Sequence, residues 1–280
     1  MASKKVNHNR QKKIALINDY SGFGRCSVAV ELPIISKMKI QCCPLPTSIL
    51  SNHTGFESFF FEDFTSRMQV YMDEWKKLDL QFAGICTGFL GSHLQIKVVE
   101  GFLKSFKKKD TMVVIDPVMG DYGKMYPTYT MKTCDEMRKL VKYANILTPN
   151  LTEASILAKV PYKEDATNAE LSAIAETLCK MGPHKIVITG IVRGKYIANY
   201  CYEEGQPPFE IRTMKVGTQR SGTGDIFTAI IVADAVNGVP FKESVKKASS
   251  FVKQCIMKAI EMDIPLTDGV PFEEVLDKLK

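Results

Sequence analysis

Two glycines and an aspartate towards the C-terminal end of the chain have the types and spacing needed to bind an anion and accept a proton. The stretch Ser221-Gly222-Thr223-Gly224-Asp225 precedes an apolar run at residues 226–232. Glycines allow a sharp turn that brings backbone N–H groups close to a ligand, and the positive end of the following helix dipole points to the same place. Asp225 would lie in the first helical turn, where a carboxylate could take a proton from a bound hydroxyl. A plain turn followed by an acidic helix start explains these few residues equally well.

Other polar side chains follow short apolar runs that are typical of buried parallel strands. They are Asp19 after residues 13–17, Thr87 after 82–86, Asp116 within 112–117 and Thr148 after 145–147. Ligands of parallel α/β sheets bind at the carboxyl ends of the strands, so these side chains are expected to be neighbours. For Asp19, capping of the next helix is the alternative interpretation.

Asn150 and Glu153 stand three residues apart at the start of a predicted helix. That spacing is also the one of a capping box, in which the two side chains satisfy helix N–H groups. Helix capping alone would therefore explain both residues. Residues 118–130 contain glycines and show no apolar period, which is typical of either a mobile cover or a plain surface loop.

The alternation of apolar runs with helical patterns predicts the elements that position these side chains. It indicates an α/β fold with a central, mostly parallel sheet flanked by helices on both faces, forming a single domain over residues 13–280. The predicted parallel strands are 13–17, 40–47, 82–86, 112–117, 145–147 and 185–190, with antiparallel strands at 196–202 and 209–214. The predicted helices are 25–38, 63–78, 94–106, 153–159, 167–181, 226–236, 242–261 and 273–279.

Composition narrows the class of protein. The net charge of +6 comes partly from the basic opening segment 1–12, which has no apolar period and is predicted to be a disordered tail. Nucleic-acid binding by that tail is a minor alternative. The eight cysteines are scattered without a CxxC pair, which favours reduced thiols in a cytoplasmic protein over a disulfide framework or zinc site. No signal-peptide pattern or membrane-length apolar run is apparent, so no membrane partner is expected.

Five strings of residues together resemble the ribokinase-like superfamily and, within it, the pyridoxal (vitamin B6) kinases. They are Ser51-Asn52-His53-Thr54-Gly55, Asp116-Pro117-Val118-Met119-Gly120-Asp121, Thr148-Pro149-Asn150 with Glu153, Val187-Ile188-Thr189, and Gly222-Thr223-Gly224-Asp225. Their order and spacing are similar to those of the family. The first string is the one that narrows the resemblance to vitamin B6 kinases.

The resemblance implies transfer of the γ-phosphoryl group of ATP to the 5′-hydroxymethyl group of pyridoxal, pyridoxamine or pyridoxine. Asp225 would be the base, and the N–H groups of Gly222, Thr223 and Gly224 would form an anion hole. Mg²⁺ is implied as a cofactor, and K⁺ accompanies it in some members. The implied partners are small molecules and a second copy of the chain in a homodimer.

The resemblance also assigns the remaining site residues. Those implied for the nucleotide and its phosphates are Asp116, Asn150, Glu153, Thr189, Gly190 and Val216, and the Mg²⁺ candidates are Asp116, Asp121 and Glu153. Those implied for the substrate are Asp19, Thr54 and Phe89 at the ring and Tyr126 in a lid over it. Arg220 would contact phosphate or face solvent.

Two residues depart from better-known members of the family, which carry serine where this chain has Asp19 and tyrosine where it has Phe89. A carboxylate can accept a hydrogen bond from a ring hydroxyl or pair with an amine, so Asp19 could shift the preference towards pyridoxamine. The nearest alternative is a hydroxymethylpyrimidine kinase, which shares the fold and the glycine turn. An alternative of another class is a non-catalytic B6-binding or regulatory protein.

Overall fold

The computed structural model describes residues 6–127 and 129–279, and within that part of the chain nine strands form one sheet. Its order is β11-β10-β9-β8-β5-β4-β1-β2-β3. The strands are β1 (Lys13–Phe23), β2 (Gln41–Asn52), β3 (Phe61–Asp63), β4 (Gly84–Thr87), β5 (Met112–Ile115), β8 (Ile146–Leu147), β9 (Lys185–Arg193), β10 (Tyr196–Glu203) and β11 (Phe209–Met214). The six inner strands β2, β1, β4, β5, β8 and β9 pair with one another in parallel. The strands β3, β10 and β11 pair antiparallel at the two edges of the sheet. A separate two-stranded hairpin joins β6 (Gly120–Asp121) to β7 (Lys124–Met125).

Helices cover both faces of the sheet, because the buried strands present apolar side chains to each face in turn. In β1, Ala15 and Ile17 pack towards one face, and Ile14 and Leu16 pack towards the other. The first face carries α2 (Thr65–Lys77), α3 (His93–Phe106), α4 (Met131–Val141), α5 (Leu151–Ala158) and α6 (Asn168–Cys179). The second face carries α1 (Ser27–Lys37), α7 (Thr223–Asn237) and α8 (Phe241–Glu261). The predicted fold class is confirmed.

The strand order reverses between β1 and β4. From β1 the chain moves to β2 and β3 on one side, and it returns through α2 to β4 on the other side of β1. Connections that leave in opposite directions open a crevice at the carboxyl ends of the two strands, and ligands of such sheets bind there. We therefore expect a ligand crevice next to Asn18 and Asp19, where β1 continues past its pairing with β4, and next to Phe89, which follows β4.

Several element boundaries differ from the predictions. β1 continues past the expected end at residue 17 to Phe23, with an irregularity between Asn18 and Tyr20, and β2 continues to Asn52. β2 thus extends five residues beyond the predicted end at residue 47, because it pairs with β1 on one side and with β3 on the other. β3 and α4 are not among the predicted elements. The predicted terminal helix at 273–279 is a 3-10 helix, Phe272–Lys278, which follows a shorter one at Leu266–Asp268.

Of the opening segment 1–12, residues 1–5 lie outside the described residues. In the described remainder, Asn9 donates its amide to the carbonyl of Asp79 at 2.8 Å and accepts from the backbone N–H of Gln81 at 2.9 Å. Lys12 Nζ donates to the carbonyl of Val236 at 2.9 Å. The boundary between a tail and a single domain at residue 12 stays a prediction.

None of the described helices is both long and apolar enough to cross a lipid bilayer.

Candidate active site

The glycine turn before α7 has a backbone conformation that only glycine adopts easily. Gly222 has a φ of +80° and precedes the first residue of the helix, Thr223. A Cβ atom at Gly222 would lie 2.2 Å from the carbonyl oxygen of Arg25, so the turn is packed directly against the start of α1. The first backbone N–H groups of α7 have no acceptor within the helix and are available to an anion. Gly224 is exposed and Thr223 is half-buried, so a ligand can reach the turn.

Asp225 is half-buried in the first turn of α7, and several donors hold its carboxylate. Asn18 Nδ2 lies 3.4 Å from Asp225 Oδ1, and the backbone N–H groups of Ser27 and of Asp225 itself also donate to the carboxylate. Burial nevertheless raises the pKa of Asp225 above the ordinary value. A carboxylate with a raised pKa that remains accessible is suited to accept a proton from a substrate hydroxyl.

Asp116 directly follows β5, so it lies at a strand end as the sequence predicts. Its backbone N–H donates to the carbonyl of Thr87 at 3.0 Å, and its Oδ2 accepts from the hydroxyl of Thr228 at 3.1 Å. Thr228 in turn lies 3.1 Å from the hydroxyl of Thr148, which links three of the predicted neighbours. Burial, and then the charge of Asp225, raise the pKa of Asp116 to about 7.

Asp19 is 6% exposed and accepts two hydrogen bonds from serine hydroxyls, from Ser27 at 2.7 Å and from Ser21 at 3.2 Å. Burial raises its pKa to about 6, and the charge of Asp225 adds to that effect. Because Ser27 is the first residue of α1, Asp19 fastens the start of this helix to β1. This hydrogen bond comes from a side-chain hydroxyl and not from a helix N–H group, so it is not the helix cap that the sequence allowed.

Asp19, Asp116 and Asp225 therefore lie together at the carboxyl ends of the strands, and the charge of Asp225 raises the pKa values of both Asp19 and Asp116. Among the described residues, no lysine or arginine forms an ion pair with any of the three. Buried carboxylates without a cationic partner are costly in free energy. The crevice is thus built to receive positive charge from a ligand.

Replacing Asp116 with asparagine is expected to stabilise the metal-free protein more at pH 8 than at pH 5. The folded protein holds the proton of Asp116 up to a pKa of about 7, against an ordinary value of 3.8, so the stability of the wild type falls as pH rises between these values. Asparagine removes this penalty, and each kcal/mol recovered raises the melting temperature by roughly 2–4 °C. Thermal unfolding in chelator-treated buffer at the two pH values measures the effect. The exposed Asp277→Asn serves as the control, and an equal shift of Asp116→Asn at both pH values would contradict the prediction.

Asn150 and Glu153 form the capping box that the sequence also allowed. Asn150 Oδ1 accepts from the N–H of Glu153 at 3.0 Å, and Glu153 Oε2 accepts from the N–H of Asn150 at 2.8 Å. The other Glu153 oxygen accepts from the N–H of Met119 at 3.1 Å, and the residue is 3% exposed. Since backbone N–H groups occupy both of its oxygens, Glu153 holds the chain after β5 in place.

The loop after β5 folds back as the β6–β7 hairpin. Asp121 Oδ2 accepts from Gln219 Nε2 at 2.7 Å, and the hydroxyl of Tyr122 is hydrogen-bonded to Gln219 Oε1. These contacts tie the hairpin to the segment that leads into the glycine turn. Tyr126 is 39% exposed, and burial together with the charges of Glu153, Asp121, Asp116 and Asp225 raises the pKa of its phenol. The predicted lid residue is thus close enough to the carboxylates to feel their charge.

The residues assigned to the nucleotide lie further along the same sheet edge. Thr189 donates its backbone N–H to the carbonyl of Pro149 at 2.8 Å and pairs with Asn150 in an isolated parallel bridge. Gly190 has a φ of +75° and donates to Asn199 Oδ1 at 3.2 Å, with its own surface exposed. Val216 is half-buried in the segment before the glycine turn.

On the ring side, Phe89 is half-buried and follows β4. Its N–H donates to Asn18 Oδ1 at 2.8 Å, and its carbonyl accepts from the hydroxyl of Thr47 at 3.0 Å. Thr54 is exposed beside His53, whose Nδ1 accepts from the N–H of Gly55 at 3.0 Å. The structure gives Thr54 no hydrogen bond to another described site residue.

Arg220 is half-buried against the C-terminal loop. Its Nη1 donates to the carbonyls of Ile264, Pro265 and Gly269, at 2.7, 3.1 and 3.5 Å. The guanidinium therefore binds the segment before the glycine turn to the C-terminal loop. A contact of Arg220 with phosphate stays a prediction.

Two site residues, Asn18 and Glu31, are not among those assigned from the sequence. Asn18 Nδ2 donates to Glu31 Oε2 at 2.7 Å, and Glu31 is 1% exposed. The available signal was the single carboxylate within the apolar helical stretch 28–35, because a charged residue on a buried helix face needs a polar partner. The partner itself is not visible in the sequence.

Among the described residues, no three or more His, Cys, Asp or Glu side chains are grouped to hold a metal ion by themselves. Mg²⁺ usually keeps several waters and binds through one or two carboxylates together with substrate phosphates. The half-buried Asp116 and its raised pKa fit that mode of binding better than a site made of protein ligands alone.

Comparisons with known proteins agree with this geometry. A model of the phosphomethylpyrimidine kinase family matches residues 68–266. A Bacteroides thetaiotaomicron protein described as a phosphomethylpyrimidine kinase has a TM-score of 0.95 at 38% identity, over 98% of this chain and 95% of that one. Its second crystal form, which contains pyridoxal, has a TM-score of 0.93 at 38% identity over 96% of both chains.

Pyridoxal kinases are also similar to the chain. The Arabidopsis thaliana enzyme is 30% identical over 199 residues, and the match covers 68% of this chain but only 63% of the plant protein. The Lactobacillus plantarum enzyme, at 24% identity, has the same fold with a TM-score of 0.89 over 96% of both chains. The chain therefore belongs to the phosphomethylpyrimidine kinase family of the ribokinase-like fold, together with the pyridoxal kinases that its sequence motifs resemble.

Proposed function

We propose that this protein transfers the γ-phosphoryl group of ATP to the 5′-hydroxymethyl group of pyridoxal, pyridoxamine or pyridoxine. The observation that carries the proposal is the half-buried Asp225 carboxylate in the first turn of α7, directly after the Gly222 turn and at the crevice between β1 and β4. A base and an anion-binding turn next to each other are what phosphoryl transfer to a hydroxyl requires. The pyridoxal present in a crystal of the Bacteroides relative supports a B6 vitamer as the acceptor.

In the proposed reaction the hydroxymethyl oxygen attacks the γ-phosphorus, the bond to the bridging oxygen of ADP breaks, and Asp225 takes the hydroxyl proton. Burial raises the pKa of Asp225, which makes its carboxylate a stronger base for this proton. Negative charge on the transferred group would be stabilised by the N–H groups of Gly222, Thr223 and Gly224 and by the dipole of α7. The protein itself contributes alignment and charge rather than a covalent intermediate.

Mg²⁺, bound through Asp116 and Asp121 directly or through water, would neutralise phosphate charge. Glu153 would support this site through the backbone of Met119 and Asn150. A monovalent cation such as K⁺ is a further proposal for the same carboxylate-rich region. Thr189, Gly190 and Val216 would line the nucleotide side, with Asn150 near the phosphates.

For the ring we propose contacts with Asp19, Thr54 and Phe89, under a lid that includes Tyr126. Exclusion of water by the lid matters because water competes with the hydroxymethyl group as phosphoryl acceptor. The contacts of Tyr122 and Asp121 with Gln219 would let the hairpin and the glycine-turn segment move together. Homodimerisation and a cytoplasmic location stay predictions.

A hydroxymethylpyrimidine kinase is the second candidate, and the family model that matches residues 68–266 favours it. It would use the same base and the same turn on a different hydroxymethyl heterocycle. A non-catalytic B6-binding protein is the alternative of another class, but a binder would not need the carboxylates of both Asp225 and Asp116.

A coupled assay of ADP formation with pyridoxal, pyridoxamine, pyridoxine and hydroxymethylpyrimidine, with and without Mg²⁺, tests these proposals. We expect kcat/KM to be highest for a B6 vitamer and turnover to need Mg²⁺, because the uncompensated carboxylates would repel ATP alone. A higher kcat/KM for the pyrimidine would replace our first proposal by the second. Absence of turnover on all four acceptors, with vitamer binding retained in calorimetry, would favour the non-catalytic alternative.

A further inference from the structure

The side chain of Asn18 is hydrogen-bonded at every available position. Its Nδ2 group donates to Glu31 Oε2 at 2.7 Å and to Asp225 Oδ1 at 3.4 Å. Its Oδ1 accepts from the backbone N–H of Asp19 at 2.9 Å and of Phe89 at 2.8 Å. A primary amide has two N–H donors and two acceptor lone pairs, so all four are used. Asn18 is 1% exposed, and such fully satisfied buried networks hold one geometry.

Three of the four partners of Asn18 belong to other elements of the fold, whereas the fourth, Asp19, is its neighbour in β1. Glu31 lies in α1, Asp225 starts α7, and Phe89 follows β4, whereas Asn18 itself lies in β1. β1 and β4 are the two strands that border the crevice. One side chain therefore joins the proposed base to the backbone of the residue proposed to contact the ring.

Gly88 shows how closely the chain is built around this amide. A Cβ atom at Gly88 would lie 2.3 Å from Asn18 Nδ2 and within 2.5 Å of its other amide atoms. Real Cβ contacts are not that short, so the loop after β4 can approach Asn18 only because residue 88 has no side chain. This close approach at Gly88 keeps the backbone N–H of the next residue, Phe89, within hydrogen-bond distance of Asn18.

Glu31 provides the fixed end of the network. It is 1% exposed, and burial raises the pKa of its carboxyl well above the usual range, with further contributions from Asp225, Asp116 and Asp19. Its other oxygen lies 3.9 Å from the thiol of Cys86, which is fully buried in β4. A carboxyl group buried this deeply cannot contact substrate, so its effect on the site passes through Asn18.

We propose that Asn18, held by Glu31, is a positioning residue that sets the Asp225 carboxylate and the Phe89 backbone at the mutual distance needed for the reaction. The inference rests on the proposed function, because it names the side chain that orients the proposed base. Loss of this contact leaves the Asp225 carboxylate held only by the N–H groups of Ser27 and of Asp225 itself. A displacement of about 1 Å at a reacting group costs on the order of 100-fold in rate.

Asn18→Ala is expected to lower kcat for the preferred vitamer about 10- to 100-fold. The dissociation constant for the nucleotide should stay within a factor of about 2, because no described nucleotide-side residue is hydrogen-bonded to Asn18. Steady-state kinetics and calorimetric titration with ADP measure the two quantities. Asn145→Ala is the matched control. Asn145 Oδ1 also accepts from a backbone N–H, that of Val113 at 2.8 Å, but it lies at the amino ends of the strands, away from the site. An equal kcat in the two variants would overturn the proposal.

A pair of Glu31 variants keeps the inference testable if Asn18→Ala does not fold. Glu31→Gln retains an oxygen that can accept from Asn18 Nδ2, whereas Glu31→Met fills the same space without an acceptor. We expect kcat close to that of the wild type for Glu31→Gln and about 10-fold lower for Glu31→Met. Equal rates in the two variants would show that the contact does not matter for turnover and would overturn the proposal.

The double variant Asn18→Ala/Asp225→Asn separates this inference from the proposed function. If Asn18 acts through Asp225, the double variant should be no slower than Asp225→Asn alone, because the two losses are not additive. Multiplying losses would overturn the inference and leave Asp225 as the base. An unchanged kcat in Asp225→Asn itself would instead overturn the proposed function on which the inference depends.

Discussion

Asp225→Asn is expected to lower kcat by about 10²- to 10⁴-fold, the range that a general base contributes. Asparagine has nearly the same shape and can still accept from Asn18 and from the N–H of Ser27, but it cannot take the hydroxyl proton. Nucleotide binding should change little, because the glycine turn is unaltered. The melting temperature should not fall, since the change removes a charge that raises the pKa values of Asp19 and Asp116. Steady-state kinetics, ADP titration and thermal unfolding measure the three quantities.

Asp234→Asn is the matched control for this prediction. Asp234 lies in the same helix, is 1% exposed and pairs with Lys247 at 2.8 Å, away from the crevice. Its replacement should lower stability and leave kcat unchanged, which is the opposite pattern. If Asp225→Asn kept the kcat of the wild type, or if it lost activity only by unfolding, Asp225 would not be the base.

The layers of the fold could be predicted because their signals are local. Buried parallel strands appear as continuous apolar runs, and the helices over them show apolar residues at helical spacing. α4 carries such a pattern as well, in the buried Cys134, Met137, Leu140 and Val141, but its charged outer face and the glycine-containing loop before it conceal the start. β3 has only three residues, all exposed, which is too short for an apolar period, and only pairing with β2 makes it a strand.

The strand-end rule predicted which carboxylates meet, because parallel strands deliver their carboxyl ends to one edge. It could not predict which oxygens are free. Glu153 and Asp116 look alike as acidic residues near strand ends, yet backbone N–H groups occupy both oxygens of Glu153. That difference depends on where the chain after β5 passes, which follows from the assembled fold and not from the spacing of Asn150 and Glu153.

The hydrogen bonds of Asn18 could not be predicted from the sequence for the same reason. Asn18 and Asp225 are separated by most of the chain, and Glu31 reaches Asn18 only because α1 packs back on β1. The turn at Gly222 has one feature that the sequence predicts and one that it does not. Its positive φ can be expected from the residue type, whereas its contact with the Arg25 carbonyl is visible only in the fold.

Gly222→Ala is expected to lower kcat about 100-fold and to weaken nucleotide binding, because it moves the anion-binding turn. Alanine at a φ of +80° is strained, and its Cβ would lie 2.2 Å from the Arg25 carbonyl oxygen. That oxygen belongs to backbone and cannot rotate away, so the turn or the start of α1 must shift. Either movement displaces the first N–H groups of α7 and Asp225 together. Kinetics with the preferred vitamer and titration with ADP measure the loss.

Gly238→Ala separates the effect of the contact from the effect of backbone strain. Gly238 ends the same helix with nearly the same φ, +79°, and a Cβ there would have no atom within 4 Å. Both alanine variants should therefore lose stability through strain, by roughly 1–2 kcal/mol for the conformation itself. Only Gly222→Ala should also lose turnover and affinity for ADP, since only its Cβ presses the turn away from α1. Equal kcat values in the two variants would mean that the position of this turn does not govern phosphoryl transfer.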